Sequence, residues 1–371
     1  MTKKRVLMLY GGRSAEHEIS LLSARFVVDA LDPERYEPLL VGIDKRGRWQ
    51  LESPEALLAS GNDAKAIALS EGAPQVELPT RPSASGALEL RIESRGAVTV
   101  DVAFPVLHGP MGEDGTVQGL LELSGLPYVG AGVLGSAVGM DKDVMKRLLE
   151  QAGLPILPYV TLRQAPFSRD RGAALEQAMG LGFPSFVKPA NLGSSVGVSR
   201  VVEPSGLGPA IDRAFELDGK VVIEQGLERP REIELAVLGG AVPPLVSVPG
   251  EIVVDHADGF YSYAAKYLDD AGATTRIPAE LEPDEIAEAQ RLARLTFETL
   301  ECEGMARVDL FLDGARKLWV NEINTIPGFT RVSMYPKLME ASGVSARQLV
   351  SRLIDDALAR GRQKRARKTS A

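Results

Sequence analysis

The first part of the chain alternates apolar runs with one amphipathic stretch, which predicts strand, turn, helix and strand in that order. An apolar run predicts a first strand over residues 5–10, and the stretch after it predicts a helix that ends near Ala30. The run EPLLVGID predicts the next strand, and TVDVAFPVLHG predicts a buried parallel strand. Residues 52–94 are rich in Gly, Pro, Ala and Ser and predict only short strands and surface loops. This order is typical of a Rossmann-like α/β domain.

The middle of the chain has the pattern of a smaller unit of mixed helices and strands. The stretch MDKDVMKRLLEQAGLP predicts a helix with Val144, Leu148 and Leu149 as its apolar positions. Strand signals occur at PYVTL, FPSFVKPA, VGVSRVVE and KVVIEQ, and a helix is predicted over residues 209–215. These elements predict a small antiparallel α+β unit.

The last part of the chain predicts a second α+β unit. Strands are expected at REIELAVLG, PPLVSVPG, GMARVDLFLD and LWVNEINT, and helices over residues 283–300, 336–341 and 345–358. The basic tail from Arg360 is expected to be a solvated, disordered end. The fold class is therefore α/β and α+β, and we predict three domains, at residues 1–138, 139–225 and 226–371.

Composition and charge narrow the range of functions. The 371 residues are 44% hydrophobic and 25% charged, as in ordinary globular proteins. Fifty Asp and Glu against 42 Lys and Arg give a net charge of −8, which disfavours nucleic-acid binding. The first residues resemble a strand rather than a signal peptide, no stretch is apolar enough to span a membrane, and Cys302 is the one cysteine. We therefore expect a cytoplasmic protein that acts on small molecules, without nucleic-acid or membrane partners.

Polar residues on the two C-terminal strands could form a metal site. Alternation sends Arg307 and Asp309 to one face of the first strand, and Glu322 and Asn324 to one face of the second. Two carboxylates and an amide oxygen suit magnesium with a bound phosphate. A salt-bridged pair of strands on a solvated sheet face would give the same pattern.

Two segments of the middle unit could bind a nucleotide. In FVKPANLGSSVGVSR, Lys188 precedes a Gly-Ser-Ser loop whose backbone N–H groups could approach phosphate, although such a loop is also common in plain hairpins. Glu224 ends a buried-looking strand next to groups that could reach an adenine edge, and Glu232 could reach a ribose. An interdomain hinge without a ligand would also explain this second segment.

Two N-terminal loops follow strands at the edge where open α/β sheets bind ligands. In GGRSAEHEIS, Glu16 could hold an ammonium group or only complement a helix dipole, and His17 could be a solvated surface residue. In HGPMGEDG, His108 could orient a carboxylate or be a buried structural histidine. The dinucleotide pattern GxGxxG is missing, which argues against a dehydrogenase.

Taken in order, these motifs resemble the D-alanine-D-alanine ligase family of ATP-grasp enzymes. The resemblance includes GGRSAEHEIS, HGPMGEDGTVQGLLE, GMDK, FVKPANLGSSVGVS, VIEQGL, YSYAAKY, GMARVDLFLD and VNEINTIPGFTRVSMYP. These stretches run from Gly11 to Pro336 and so span nearly the whole chain. The resemblance implies an ATP-grasp fold. In this fold an N-terminal Rossmann-like α/β domain is followed by two α+β domains that bind ATP between them.

The resemblance implies a set of nucleotide and metal ligands. It implies that two Mg²⁺ ions, with Mn²⁺ as a possible substitute, bridge the phosphates of ATP. Gln225 stands where some members carry a charged residue. The implied metal ligands are Asp309, Glu322 and Asn324. The implied ATP-binding residues are Lys142, Lys188, Ser194, Ser195, Glu224, Gln225, Leu227, Glu232 and Lys266.

The resemblance also implies the substrates and the reaction. Two D-alanine molecules would be joined through an acyl phosphate, with release of ADP and phosphate, for peptidoglycan precursor and cell-wall synthesis. The implied substrate-binding residues are Glu16, His108, Lys266, Arg307, Ser333 and Met334. The implied catalytic residues are Glu16, Ser194, Tyr267, Arg307 and Gly328.

Two alternatives stay open at this point. One is a ligase whose second substrate is D-lactate or D-serine, although Lys266-Tyr267 stands as in the dipeptide-forming members. The other is a nucleotide-binding paralogue without catalysis. The resemblance also implies a homodimer.

Overall fold

The structure is a computed structural model that describes residues 2–59, 67–78, 88–93, 95–254 and 273–367. Its first region is built on a mostly parallel sheet, as the sequence predicts. The elements of this region are β1 (Lys4–Gly11), α1 (His17–Ala30), β2 (Tyr36–Ile43), β3 (Trp49–Glu52), α2 (Pro54–Ala59), β4 (Val76–Glu77), β5 (Leu88–Ile92), β6 (Gly96–Val100), β7 (Val102–Val106), α3 (Thr116–Ser124) and α4 (Val133–Met140).

The N-terminal sheet has the strand order β3-β2-β1-β7. Strand β1 pairs in parallel with β2 and β7, and β3 joins β2 in the antiparallel sense. The carboxyl ends of β1 and β7 lie side by side, which brings the two N-terminal loops predicted to bind ligands to one edge. The segment predicted as one buried strand is split at Asp101 into β6 and β7. Strand β6 belongs instead to a separate small sheet with the order β4-β5-β6.

The second region forms an antiparallel sheet with the order β10-β9-β11-β8, flanked by helices. The Asp141 carboxylate caps its first helix by accepting from the backbone N–H groups of Asp143 and Val144, each at 3.1 Å. The elements are α5 (Lys142–Gln151), β8 (Tyr159–Arg163), α6 (Gln164–Arg169), α7 (Arg171–Met179), β9 (Ser185–Pro189), β10 (Ser199–Val201), α8 (Pro204–Phe215) and β11 (Lys220–Gln225).

The third region forms a larger antiparallel sheet with the order β15-β14-β12-β16-β17, and β13 pairs with β12. A capping box between Glu282 and Glu285 starts its long helix. The elements are β12 (Arg231–Leu238), β13 (Leu245–Val246), β14 (Gly250–Val254), β15 (Ala273–Arg276), α9 (Pro283–Thr299), β16 (Met305–Leu312), β17 (Leu318–Asn324), α10 (Met334–Ala341) and α11 (Ala346–Ala366).

The predicted α/β and α+β class is confirmed, and two predictions about helices are wrong. Helix α8 begins at Pro204, five residues before the predicted start. In α5, Leu148 is exposed, whereas Lys142 and Lys146 are buried with Met145 and Leu149. The apolar pattern predicts the wrong buried face of α5 because two of its buried positions are occupied by lysines.

The basic tail is also different from the prediction. Helix α11 continues to Ala366, so residues 360–366 are helical. Arg360 is largely buried, forms ion pairs with Glu303 at 2.9 Å and Asp356 at 2.8 Å, and donates to the carbonyls of Tyr128 and Gly130. These partners stabilise the helix where the sequence alone shows only a run of positive charge.

The main core joins the N-terminal sheet to the C-terminal helices. Side chains of β1 and β7 pack in one cluster with Phe329, with Tyr335 on α10 and with the apolar face of α11. A second cluster lies between α9 and the C-terminal sheet, and a third fills the central region. None of the described helices has the length and apolarity that crossing a bilayer requires.

Candidate active site

A cavity of about 560 Å³ lies between the central and the C-terminal antiparallel sheets. Its size is within the range of sites that bind small ligands. Charged side chains from both sheets and from the start of α5 line it, among them Lys142, Lys188, Glu224, Asp309 and Glu322. The sequence predicted each of these as an ATP or metal ligand, and the fold brings them to one place.

The central sheet contributes a buried carboxylate held by two lysines. Lys188 lies opposite Val222 in the β9-β11 pair, so Glu224 is its diagonal neighbour on the same face. The Lys188 Nζ lies 2.8 Å from one Glu224 oxygen, and the Lys146 Nζ lies 3.3 Å from the other. The Lys146 side chain is only 1% exposed. Two cations on one anion leave an excess of positive charge at this end of the cavity.

Burial and charge act against each other on these three groups. Burial alone raises the pKa of Glu224, but Lys146 and Lys188 outweigh it and the pKa is lowered. Burial lowers the pKa of Lys188, but the charges of Glu224 and Glu322 outweigh it, so the pKa is raised. For Lys146 burial dominates, and its pKa is lowered. The cluster therefore holds Glu224 as an anion and Lys188 as a cation.

The C-terminal sheet presents the predicted oxygen ligands from neighbouring strands. Asp309 on β16 lies directly opposite Glu322 on β17, and Arg307 lies opposite Asn324. A β-bulge follows this pair, because the next partners are Leu310 and Val320. Asn321 is the extra residue. The bulge thus brings the Asn321 side chain to the cavity next to Glu322. The Asn321 Oδ1 accepts a hydrogen bond from the Lys188 Nζ at 3.4 Å.

Arg307 lies between two carboxylates. Its Nε and one terminal nitrogen each lie 2.7 Å from an Asp309 oxygen, and its Nε is also 3.2 Å from Glu234 on β12. Burial alone lowers the pKa of Arg307, but Asp309 and Glu234 outweigh it and raise the pKa well above its usual value. A permanent, fixed cation therefore lies beside the predicted metal ligands.

The predicted metal ligands have a donor chemistry that fits magnesium. Asp309, Glu322 and Asn324 supply hard oxygen atoms from two adjacent strands, and the Asn324 side-chain nitrogen lies 3.0 Å from Asp309. Within the ranges that the structure describes, no three His, Cys, Asp or Glu side chains form a metal-binding group. A metal site here would depend on two carboxylates and an amide, and a bound phosphate would supply further oxygen ligands.

The Gly-Ser-Ser loop connects the cavity to the N-terminal region. Ser194 and Ser195 both line the cavity and have left-handed backbone conformations, with φ of 50° and 58°. The Ser194 hydroxyl donates a short hydrogen bond to Glu16. Lys142 donates to the Leu192 carbonyl at 2.8 Å. The loop is therefore fixed both to the cavity wall and to the predicted ammonium site.

The two N-terminal histidines are both buried. The His17 Nδ1 lies 2.8 Å from the Gly12 carbonyl, so His17 is not the solvated surface residue that one interpretation of the sequence allowed. His108 has its Nε2 2.9 Å from the Ser23 hydroxyl and its Nδ1 3.0 Å from the Ile326 carbonyl. Burial lowers the pKa of the His108 imidazole.

The predicted oxyanion and carboxylate positions lie between β17 and α10. Gly328 allows a close approach there, since a Cβ atom at this position would lie 2.8 Å from the Ser333 hydroxyl oxygen. That hydroxyl accepts from the Thr330 backbone N–H at 3.0 Å, and Met334, also predicted to bind substrate, is buried.

The remaining predicted residues divide into two groups. Gln225, Leu227 and Glu232 line the cavity beside Glu224. Lys266 and Tyr267 lie outside the described residues.

Sequence reasoning missed four polar residues of this region. Lys146, Glu234, Asn321 and Glu113 are each in or next to the polar networks described above. A signal existed for Lys146 and Glu234, since Lys146 follows Lys142 by one helical turn and Glu234 alternates with Glu232. No sequence signal pointed to Asn321, because the β-bulge interrupts the strand alternation at this residue.

Comparisons with known proteins agree with this geometry. The family model for the D-ala D-ala ligase C-terminus matches residues 148–355, and the model for the D-ala D-ala ligase N-terminus matches residues 5–131. The chain belongs to the D-ala D-ala ligase family. The predicted resemblance is therefore confirmed, as is its ATP-grasp fold.

Full-length relatives and solved structures of this family are similar over nearly the whole chain. A D-alanine–D-alanine ligase A from Chromobacterium violaceum is 49% identical over 98% of this chain and 97% of its own. The ligase A of Escherichia coli K12 is 45% identical over the full length of both. The D-alanine-D-alanine ligase structure from Coxiella burnetii has a TM-score of 0.84 at 37% identity, over 98% of this chain and 97% of that chain. The VanG D-Ala:D-Ser ligase from Enterococcus faecalis has a TM-score of 0.81 at 32% identity, over 96% of this chain and 100% of that chain.

Proposed function

We propose that this protein ligates two D-alanine molecules to D-alanyl-D-alanine at the expense of ATP, as a step of peptidoglycan precursor synthesis. One observation carries the proposal. Lys188 on the central sheet and Lys142 at the start of α5 face carboxylates of the C-terminal sheet in a single cavity, with Lys142 and Glu322 3.5 Å apart. Cations and metal-binding oxygens on opposite walls are what a triphosphate needs. The names of the relatives support the choice of substrate.

In the first step, the carboxylate of one D-alanine attacks the γ-phosphorus of ATP. A carboxyl–phosphate bond forms, the bond to ADP breaks, and an acyl phosphate results. Lys142 and Lys188 hold the phosphates, and Ser194 and Ser195 cover them with backbone N–H groups. Glu16, held by the Ser194 hydroxyl, is the acceptor for the substrate ammonium group.

In the second step, the amine of the other D-alanine attacks the acyl carbon. The tetrahedral oxyanion is stabilised by Arg307 and by the backbone N–H of Gly328, and phosphate leaves as the amide forms. Because Arg307 is held by Asp309 and Glu234, its charge is in place before the reaction begins. Lys266 and Ser333 would receive the second carboxylate, and Tyr267 would complete the trio with Ser194 and Glu16 that accepts the proton lost by the attacking amine.

Asp309, Glu322 and Asn324 would hold two Mg²⁺ ions, with Mn²⁺ as a substitute. The ions supply charge neutralisation at the phosphates when bound. The chain's own contribution is to keep these oxygens on one sheet face and to exclude water, since acyl phosphates hydrolyse. In the structure described here, the charges of Asp309 and Glu322 are balanced by Arg307 and Lys142.

The relatives favour D-alanine as the second substrate over D-serine. The chain is 45% to 49% identical to the two ligases A named above and 37% identical to the Coxiella burnetii D-alanine-D-alanine ligase, against 32% for the D-Ala:D-Ser ligase. The Lys266-Tyr267 pair in the sequence agrees with this choice. The sequence also retains Arg307 and all three metal ligands, which disfavours a paralogue without catalysis.

The experiment is an assay of phosphate release from ATP with D-alanine, D-serine or D-lactate across pH 6 to 9, with the products separated and weighed by mass spectrometry. We expect D-alanyl-D-alanine as the main product at neutral pH. Dominant depsipeptide or D-alanyl-D-serine would reassign the second substrate. Phosphate release that does not respond to D-alanine would reject the ligase function.

The remaining proposals concern the assembly and its setting. We propose that the chain divides into the three domains predicted from sequence, at residues 1–138, 139–225 and 226–371. We propose further that the enzyme is a homodimer in the cytoplasm. The family resemblance supports the dimer, and a single buried cysteine, Cys302, agrees with a reducing compartment.

A further inference from the structure

The loop between β17 and α10, residues 325–333, is held from the N-terminal region on both sides of Gly328. We call it the Gly328 loop. The Ser23 hydroxyl oxygen on α1 accepts from the Phe329 backbone N–H at 3.2 Å. The Ile326 carbonyl lies 3.0 Å from the His108 Nδ1. These two contacts lie on either side of Gly328, so they set the direction of its backbone.

The two contacts are joined to each other by a third. The Ser23 hydroxyl also lies 2.9 Å from the His108 Nε2. Ser23 and Phe329 have no exposed surface, and His108 is 4% exposed. Ser23 and His108 thus form one buried bridge from α1 to the two sides of Gly328.

Hydrogen-bond direction fixes which nitrogen of His108 carries the proton. The Ile326 carbonyl can only accept, so the Nδ1 must donate. The Nε2 then accepts a hydrogen bond from the Ser23 hydroxyl, and the Ser23 oxygen accepts from the Phe329 backbone N–H. With the proton on Nε2 instead, the Nδ1 lone pair would face the carbonyl lone pairs. Burial, which lowers the pKa of His108, agrees with a neutral ring.

The start of the loop has an additional partner. One Glu113 oxygen accepts from the Ile326 backbone N–H at 3.2 Å, and the other accepts from the Gly109 backbone N–H at 2.7 Å. Both polar backbone groups of Ile326 are therefore bound by N-terminal side chains. The Phe329 ring also packs against Phe104 and Tyr335, with centroids 6.2 and 5.3 Å away.

We propose that Ser23 is a positioning residue, which through the neutral Nδ1–H tautomer of His108 aligns the Gly328 backbone N–H with the oxyanion. His108 then acts on the loop and not on the substrate carboxylate. This inference rests on the proposed function, in which that N–H stabilises the oxyanion. A donor displaced by a fraction of an ångström loses most of its catalytic effect.

The bridge itself is tested by NMR on the full-length protein labelled with ¹⁵N-histidine. The chain has three histidines, so His17→Asn and His256→Asn assign the signals and leave those of His108. We expect the Nδ1–H tautomer at pH 7.5, and a changed Nε2 resonance in Ser23→Ala. A proton on Nε2, or a charged ring, would overturn the bridge. This result does not depend on ligase activity, so it is distinguishable from a failure of the proposed function.

The effect on catalysis is tested by the kinetics of the same variant. Ser23→Ala should lower kcat by about tenfold to a hundredfold and leave the KM for ATP unchanged, because the oxyanion donor moves and the nucleotide site does not. Ser124→Ala is the matched control, a buried serine on α3 whose hydroxyl donates to the Leu121 carbonyl of its own helix. If Ser23→Ala does not fold, Ser23→Cys, with a weak donor and acceptor, should show a smaller loss in kcat. An unchanged kcat in the folded variant would overturn the positioning role.

Discussion

Arg307 holds Asp309 with two parallel hydrogen bonds of 2.7 Å each, from two residues away on the same strand. The pair lies on the cavity face of β16, because the residues between and beyond them point into the core. A bidentate pair fixes both the direction and the position of the guanidinium plane. Arg307 is thus held in place for the oxyanion, and Asp309 is held in place for the metal.

Arg307→Lys is expected to lower kcat by about a hundredfold, because an ammonium group cannot reproduce the planar fork at an oxyanion. Steady-state kinetics with D-alanine measure the effect. Arg291→Lys is a matched control, since Arg291 forms a similar bidentate pair with Glu288 on the exposed face of α9. A loss of similar size in both variants would contradict a specific role of Arg307.

Asp309→Asn and Glu322→Gln are each expected to lower kcat/KM by about a thousandfold, because each removes charge that binds the metal. Circular dichroism should show an unchanged fold, since neither side chain packs in the core. Chelation of divalent cations should abolish the activity of the wild type, and added Mg²⁺ should restore it. The control is Glu37→Gln, an exposed carboxylate on β2. Near-normal activity of either variant at ordinary Mg²⁺ concentrations would remove the metal assignment.

Lys146→Met is expected to raise the KM for ATP by about tenfold without lowering thermal stability. The variant removes one of two cations beside Glu224 and so reduces the attraction for phosphate. An apolar chain of similar length also avoids the cost of burying an ammonium group. Thermal unfolding and ATP titration measure the two effects, with the surface variant Lys317→Met as control. A large drop in the unfolding midpoint would mean that Lys146 is mainly structural.

Glu113 is expected to make the stability of the protein depend on pH. Burial, with the charge of Glu16 adding to it, raises the pKa of Glu113 to about 8. The folded state therefore keeps a proton that the unfolded state loses above its ordinary pKa of 4.5. Wild type should lose stability relative to Glu113→Gln as pH rises from about 5 to 8, and the difference should level off above about pH 8. Denaturant titrations of both proteins at several pH values measure this, and a difference independent of pH would refute it.

Much of the site could be predicted because strand alternation places side chains reliably. Period two assigned Arg307, Asp309, Glu322 and Asn324 to one face, and the pairing of β16 with β17 confirms it. The positions of Lys188 and Glu224 near strand ends could also be predicted from the sequence. The local sequence pattern therefore suffices to predict those site residues whose side-chain direction follows the strand alternation.

The parts that were missed depend on contacts between distant segments. Glu113 binds Ile326, 213 residues away, and no local pattern indicates such a pairing. The buried face of α5 was misassigned because Lys146 is charged and yet lies inside, paired with Glu224. The end of α11 was misread because the partners of Arg360, among them Glu303 and Tyr128, come from other parts of the chain. From sequence alone, a charged residue is predicted to be exposed to solvent, because the residue that pairs with it inside the protein is not known.

Helix α11 covers the N-terminal sheet, and the ion pair between Arg35 and Asp355 joins residues 320 positions apart. During translation the ribosome releases this sheet long before it makes the helix that covers it. The apolar residues Val6, Met8 and Phe104, buried in the final core, would have α1 beside them but would lack the cover of α10 and α11 through most of synthesis. The nascent polypeptide therefore has to shield this surface, with chaperones or by transient collapse, until the last helix arrives.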